Sequence, residues 1–153
     1  MFILNIIKPA SALSPITLHL TSASNNRRYR ILVVDDSAVH RTLCRGILKR
    51  EYDVDLAVDA EQAMEMVRAN KYDLILTDTH MPGKSGIELA CELDDLMENL
   101  WKVEIPVILM SDSDDVAASV HQALPKGVSV FVHKKNFATH GPEAISELLN
   151  RAA

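Results

Sequence analysis

The sequence predicts an α/β domain, a doubly wound three-layer (βα)5 sandwich around a parallel five-stranded sheet. Three observations predict it. Five short apolar runs bounded by turn residues have the length and composition of buried strands. Each is followed by a stretch whose apolar residues recur at helical spacing, and strands alternating with helices imply βαβ units covered on both faces. Two of the runs end directly in acids, residues 31–34 in Asp35 and Asp36, and residues 74–77 in Asp78. The carboxyl ends of parallel strands are where open sheets place their ligand crevice.

The elements are expected in this order. The first strand is 30–34, followed by a helix over 37–50 with Val39, Leu43 and Ile47 four apart on one face. The second strand is 54–58. Asp59 then has the place of an N-cap, with Gln62 three residues on. The second helix runs to Asn70 and buries Ala63, Met64 and Val67. The third strand is 73–77, and Pro82 and Gly83 break the chain after it. The third helix is 85–100, with Ile87, Leu89, Leu93, Leu96 and Met97 apolar. The fourth strand is 106–110 and the fourth helix 114–124, ended by Pro125 and Gly127. The fifth strand is 128–132. The last helix is expected to start at Pro142, a residue favoured in the first helical position, and to bury Ile145, Leu148 and Leu149.

A chain of 153 residues is long enough for one domain with a sizeable core. Its 48% hydrophobic and 24% charged residues are ordinary for a soluble globular protein. Charge is unevenly spread. All 21 acids follow residue 30, while Lys8, Arg27, Arg28 and Arg30 precede residue 31, so the body carries twelve bases against 21 acids, a charge of −9. An acidic body argues against direct nucleic-acid binding, which needs a basic face. No apolar run is long enough to span a membrane. Cys44 and Cys91 read as ordinary reduced residues in helices.

Residues 1–29 differ from the rest. They hold no acid, several serines and a basic end, and no sustained period. They read as a disordered leader or a gene-model extension, as an organelle transit peptide, or least readily as a secretory signal. The domain is expected over 30–150 with a tail at 151–153, in the cytoplasm, or in an organelle if the leader is a transit peptide.

Two strands ending in carboxylates bring three acids to one end of one sheet. Crowded carboxylates repel unless a cation joins them, and oxygen ligands with open positions suit Mg²⁺. A Mg²⁺ beside a lone aspartate is a site for phosphoryl transfer onto that aspartate. The acidic pair Asp35-Asp36, the Asp-x-x-Met-Pro-x-x-x-Gly run from Asp78 to Gly86, and the later Ser111 and Lys134 together resemble the receiver domains of two-component response regulators. The resemblance covers residues 30–150. It implies the flavodoxin-like strand order 2-1-3-4-5, with the first and third strands adjacent. It implies Asp78 as phosphoacceptor, Asp36 as a direct Mg²⁺ ligand, Asp35 holding a metal-bound water, and the backbone carbonyl of His80 completing the metal site with Asp78. It further implies that Lys134 pairs with a phosphate oxygen. Ser111 and Phe131 would be the switch residues, coupling the site to the face of the fourth helix, fifth strand and fifth helix. The implied donor is a sensor histidine kinase or a histidine phosphotransfer protein, and a downstream protein would dock on that face.

The chain departs from the family pattern in places. The family lysine is usually followed by proline, where this chain has Lys135 and Asn136. Asp112 follows Ser111 where a small residue is usual, and a carboxylate there could repel an incoming phosphoryl group. The interval from Ser111 to Phe131 is slightly long. His80 and Ser113 stand where the family tunes the hydrolytic water, although His80 also reads as a solvated loop residue. His40, His121, His133 and His140 show no metal-ligand spacing and read as ordinary.

Three functions compete: a phosphoaccepting receiver, a phosphorylation-impaired receiver serving as a constitutive binding module, and an aspartate-nucleophile phosphatase. The last would carry a second aspartate two residues after the nucleophile, and His80 stands there. The sequence contains no output segment after the fifth helix, so an enzymatic output is not expected of it.

Overall fold

The computed structural model of the chain describes residues 27–153, and the expectations for the leader lie outside them, apart from the last three of its residues. Five strands, β1 (Arg30–Val34), β2 (Asp53–Ala57), β3 (Leu74–Asp78), β4 (Val107–Ser111) and β5 (Val130–His133), form one sheet. Its order is β2-β1-β3-β4-β5, and every pairing is parallel. Five α-helices alternate with the strands: α1 (Ala38–Leu48), α2 (Ala60–Ala69), α3 (Gly86–Leu96), α4 (Asp114–Gln122) and α5 (Phe137–Ala152). The doubly wound fold is therefore as the sequence predicts.

Strand side chains alternate between two cores. Leu32, Val34, Ile75 and Leu109 pack with Ala63, Met64, Val67, Leu89 and Leu93 of α2 and α3. Ile31, Val33, Leu74, Leu76, Ile108 and Met110 pack with Cys44 and Leu48 of α1 and with Phe137, Ile145 and Leu149 of α5. Burial on both faces is why these strands read as continuous apolar runs. Helix starts follow the capping signals. Ser37, Asp59, Ser85 and Ser113 each accept a backbone N–H of the first turn, and Ser85 with Glu88 forms a capping box.

The structure corrects several expectations. Val39 is 81% exposed and Leu43 51%, so of the apolar stripe 39/43/47 only the half-buried Ile47 packs on the core. The helix turns His40, Cys44 and Leu48 inward instead. Its phase is set at its first turn, where His40 and Arg41 are both bound to Asp35. α5 begins at Phe137, not at Pro142, which lies inside it. The fully buried Phe137 ring packs on Gly141, where an added Cβ would come within 2.5 Å of the ring, and this contact carries the helix back beyond the proline. A 3₁₀ turn, Lys134–Asn136, joins β5 to it. α3 stops at Leu96 and widens into a π-helical turn, Met97–Trp101. The residues expected as a tail are mostly the last turn of α5.

Candidate functional site

The register of β1 on β3 places Val34 opposite Thr77, so the next two residues, Asp35 and Asp78, face each other across the sheet end. Alternation does the rest. Asp35 follows Ile31 and Val33, Asp78 follows Leu74 and Leu76, and Lys134 follows Val130 and Val132, all on the face that α1 and α5 cover. The three carboxyl groups of Asp35, Asp36 and Asp78 each bring an oxygen within 4.8 Å of the others. Asp35 and Asp78 are buried and Asp36 is exposed.

Lys134 spans the pair of buried acids. Its Nζ lies 2.8 Å from Asp35 Oδ2 and 3.2 Å from Asp78 Oδ2. Lys135 is exposed and lies 3.7 Å from Asp114 instead, so the lysine at the site is Lys134. Burial pushes the Asp78 carboxyl above its ordinary range. The Lys134 charge opposes that push and the Asp35 charge adds to it. Burial acts on Asp35 too, but hydrogen bonds from His40, Lys134 and the Ser37 amide, with the Lys134 charge, hold its carboxyl below the ordinary range. Burial would lower the Lys134 ammonium, yet its two aspartate partners raise it, so it stays charged.

The loop after Asp78 is tightly tied. Thr79 donates its amide at 2.9 Å and its hydroxyl at 2.8 Å to the Met110 carbonyl. Gly86 donates its N–H to the Thr79 carbonyl. A Cβ on Gly86 would stand 1.9 Å from the Asp78 carbonyl oxygen, so only glycine allows α3 to start this close to the acid. His80 is exposed in this loop. Asp78 pairs with Met110, which puts Ser111 one residue beyond it on the neighbouring strand. Ser111 is buried, and its hydroxyl accepts the Ser113 amide at 3.1 Å. Asp112, between them, is exposed. Phe131 is half-buried against the α2/α3 core.

Sequence reasoning missed His40. Its Nδ1 lies 2.6 Å from Asp35 Oδ2, and the imidazole is 13% exposed. The neighbouring Arg41 donates to the Asp35 backbone carbonyl at 2.6 Å. The available signal was position: the first turn of a helix that follows a strand-end acid at once folds back over that acid. His133 is half-buried, with Nε2 3.3 Å from Asp114 at the start of α4, and takes no part in the acid cluster.

Three clustered carboxylates facing one lysine are a hard-oxygen donor set with excess negative charge, which fits a Mg²⁺ ion. The family model "Response regulator receiver domain" matches residues 31–146. The chain belongs to the response regulator receiver family. Among curated proteins, the receiver chain is 32% identical over 123 residues to response regulator MprA of Mycobacterium ulcerans, covering 80% of this chain and 47% of that protein. It is 38% identical over 71 residues to sensor histidine kinase AruS of Pseudomonas aeruginosa, covering 46% of this chain and 7% of that one. The chain thus spans less than half the length of either relative. Among solved structures it resembles response regulator protein TrrA of Thermotoga maritima in complex with Mg(2+)-BeF, with a TM-score of 0.65 and 29% identity, covering 78% of this chain and 98% of that one. It is a receiver domain of the two-component type, a class that includes receiver domains of histidine kinases. No helix of the described residues is long and apolar enough to cross a membrane.

Proposed function

We propose that this receiver takes a phosphoryl group onto Asp78 from a phosphohistidine of a sensor kinase or histidine phosphotransfer protein. The observation that carries the reading is the Lys134 ammonium bridging Asp35 and Asp78 at the open end of the sheet. One Asp78 oxygen forms the new P–O bond. The P–N bond to the donor imidazole breaks, its electron pair stays on the nitrogen, and that nitrogen takes a proton from solvent. Asp36 and Asp78, with the His80 carbonyl, would hold Mg²⁺, and Asp35 would act on it through a bound water. A Mg²⁺ held there would supply charge neutralisation for the acid cluster and the phosphoryl oxygens. Lys134 leaves the Asp78 carboxylate for a phosphoryl oxygen, and the Ser111 hydroxyl turns from the Ser113 amide to another. That exchange frees the start of α4 and biases the α4–β5–α5 face, where Phe131 lies, toward a downstream protein.

The receiver catalyses only its own gain and loss of the phosphoryl group, in the cytoplasm, and contacts no nucleic acid. Its unit is residues 30–150. The test is phosphoryl uptake from acetyl phosphate and from phosphohistidine donors, read by intact mass. The expected result is one Mg²⁺-dependent phosphoryl group, lost in Asp78→Asn. A second reading, a constitutive binding module, is favoured by the exposed Asp112 beside Ser111. Asp112→Ala speeds uptake if that carboxylate obstructs the mouth, and an unchanged or slower rate removes the idea.

A further inference from the structure

Asp35 has more partners than its strand position requires. An ionised carboxylate only accepts hydrogen bonds, so the His40 nitrogen beside it is an N–H donor, which fixes the ring's role at Nδ1. Oδ1 accepts the Ser37 amide at 2.9 Å. Oδ2 accepts two donors from two different elements, His40 Nδ1 of α1 at 2.6 Å and Lys134 Nζ at 2.8 Å. Cys44 does not compete for the ring. Its Sγ is 3.9 Å from either ring nitrogen, and burial, with the Asp35 charge, pushes its thiol up to about 12, so it stays neutral.

Doubling the donors on one oxygen has a consequence for Lys134. The ammonium lies between Asp35 and Asp78, and on the functional reading above it must leave toward a phosphoryl oxygen. Asp35 is fully buried, and a buried carboxylate stripped of its partner is costly. His40 cannot follow the lysine. Its helix is pinned by the Ser37 cap, whose Oγ accepts the His40 amide, and by the Arg41 guanidinium on the Asp35 carbonyl. The imidazole therefore stays within hydrogen-bond reach of Oδ2 when Lys134 leaves.

We propose that His40 is a positioning residue that holds Asp35 Oδ2 in place of Lys134 when the lysine moves to the phosphoryl group on Asp78. This rests on Asp78 being the phosphoacceptor. It makes a separable statement about the two halves of the reaction. His40 withdraws charge from Asp35, so removing it does not weaken Mg²⁺ binding. It instead ties Lys134 more firmly to Asp35 and slows transfer at saturating Mg²⁺. A group needed only for structure would weaken both together.

The experiment uses the full chain as wild type, His40→Ala, His40→Asn and His40→Gln. Mg²⁺ affinity is measured by calorimetry. Phosphoryl uptake at saturating Mg²⁺ is followed by intact mass with acetyl phosphate and a phosphohistidine donor. The amide nitrogen of asparagine falls where Nδ1 stands, and that of glutamine falls nearer Nε2. Expected are a fall in uptake of about tenfold in His40→Ala and His40→Gln, recovery to within about threefold in His40→Asn, and Mg²⁺ affinity equal to wild type or tighter in all. An unchanged rate in His40→Ala, a loss of Mg²⁺ affinity in step with rate, or glutamine rescuing as well as asparagine overturns the proposal. If His40→Ala does not fold, the asparagine and glutamine variants decide it. A wild type that takes up no phosphoryl group from either donor overturns the functional reading, and this one with it. A competent wild type with an indifferent His40 overturns this one alone.

Discussion

Basic side chains meet aspartates at both ends of the sheet, and the two ends behave differently. At the amino ends of the strands, Arg30 is 2.6 Å from Asp55 and stacks 5.1 Å from the centre of the Tyr72 ring, Arg28 is 3.6 Å from Asp53, and Arg27 bonds Asp73. These pairs stitch β1 to β2 and β3, but their side chains are wet, 39% and 32% exposed for Arg30 and Asp55. At the carboxyl ends, Lys134 is 10% exposed, Asp35 0% and Asp78 9%. Charge also balances differently. The amino end matches one arginine to each acid, whereas the carboxyl end sets one lysine against two buried acids and a third beside them. Burial and imbalance, not the presence of ion pairs, separate the end proposed to accept the phosphoryl group from the structural one.

Breaking the buried cluster has the largest expected effect. Lys134→Ala leaves two buried carboxylates without their cation, so stability in EDTA is expected to fall by about 3 kcal/mol in urea unfolding. Mg²⁺ returns part of it, because a ligand that binds only the folded state stabilises it. If the loss is no larger than that for an exposed pair, the two ends do not differ as described. Gly86→Ala comes next. The new Cβ meets backbone, not a side chain that can turn away, and a loss of about 2–3 kcal/mol is expected by the same measurement.

Asp78→Asn has the opposite sign. Burial raises the folded carboxyl above its unfolded value, so its ionised form costs stability at pH 7. The variant is expected to be more stable than wild type at pH 7 in EDTA, read by the same urea unfolding. The gain fades as the pH falls through the raised Asp78 value toward the ordinary carboxylate range, where both forms are neutral. A gain that grew on acidification would contradict the assignment. Asp35 works the other way: its depressed carboxyl contributes stability above the ordinary range, lost as the pH falls through its folded value. The smallest effect belongs to the amino end. A double-mutant cycle on Arg30 and Asp55 is expected to give below about 1 kcal/mol, shrinking with added salt. A larger, salt-insensitive coupling would remove the contrast.

The fold was legible because doubly buried strands and capped helices leave strong local signals, as in 31–34 and 74–78. The meeting of Asp35 with Asp78 was legible for the same reason: strand-end acids on neighbouring strands are brought together by register alone. His40 was not, because its place depends on the rotational phase of α1. The apolar residues Val39 and Leu43 suggest the wrong phase, and the strand-end hydrogen bonds that set the right one are tertiary. The start of α5 was hidden likewise: Pro142 is a strong local signal, and the packing of Phe137 on Gly141 overrides it.

The most direct test of the central claim asks where the phosphoryl group sits. The full chain is phosphorylated with Mg²⁺, the acyl phosphate is reduced with borohydride, and peptides are mapped by mass spectrometry. Homoserine at position 78 alone, absent without Mg²⁺, is the expected result. Homoserine at 35 or 36, or a phosphoryl group on His40, would contradict the assignment of Asp78 as the acceptor that Lys134 and the acidic pair are built to serve.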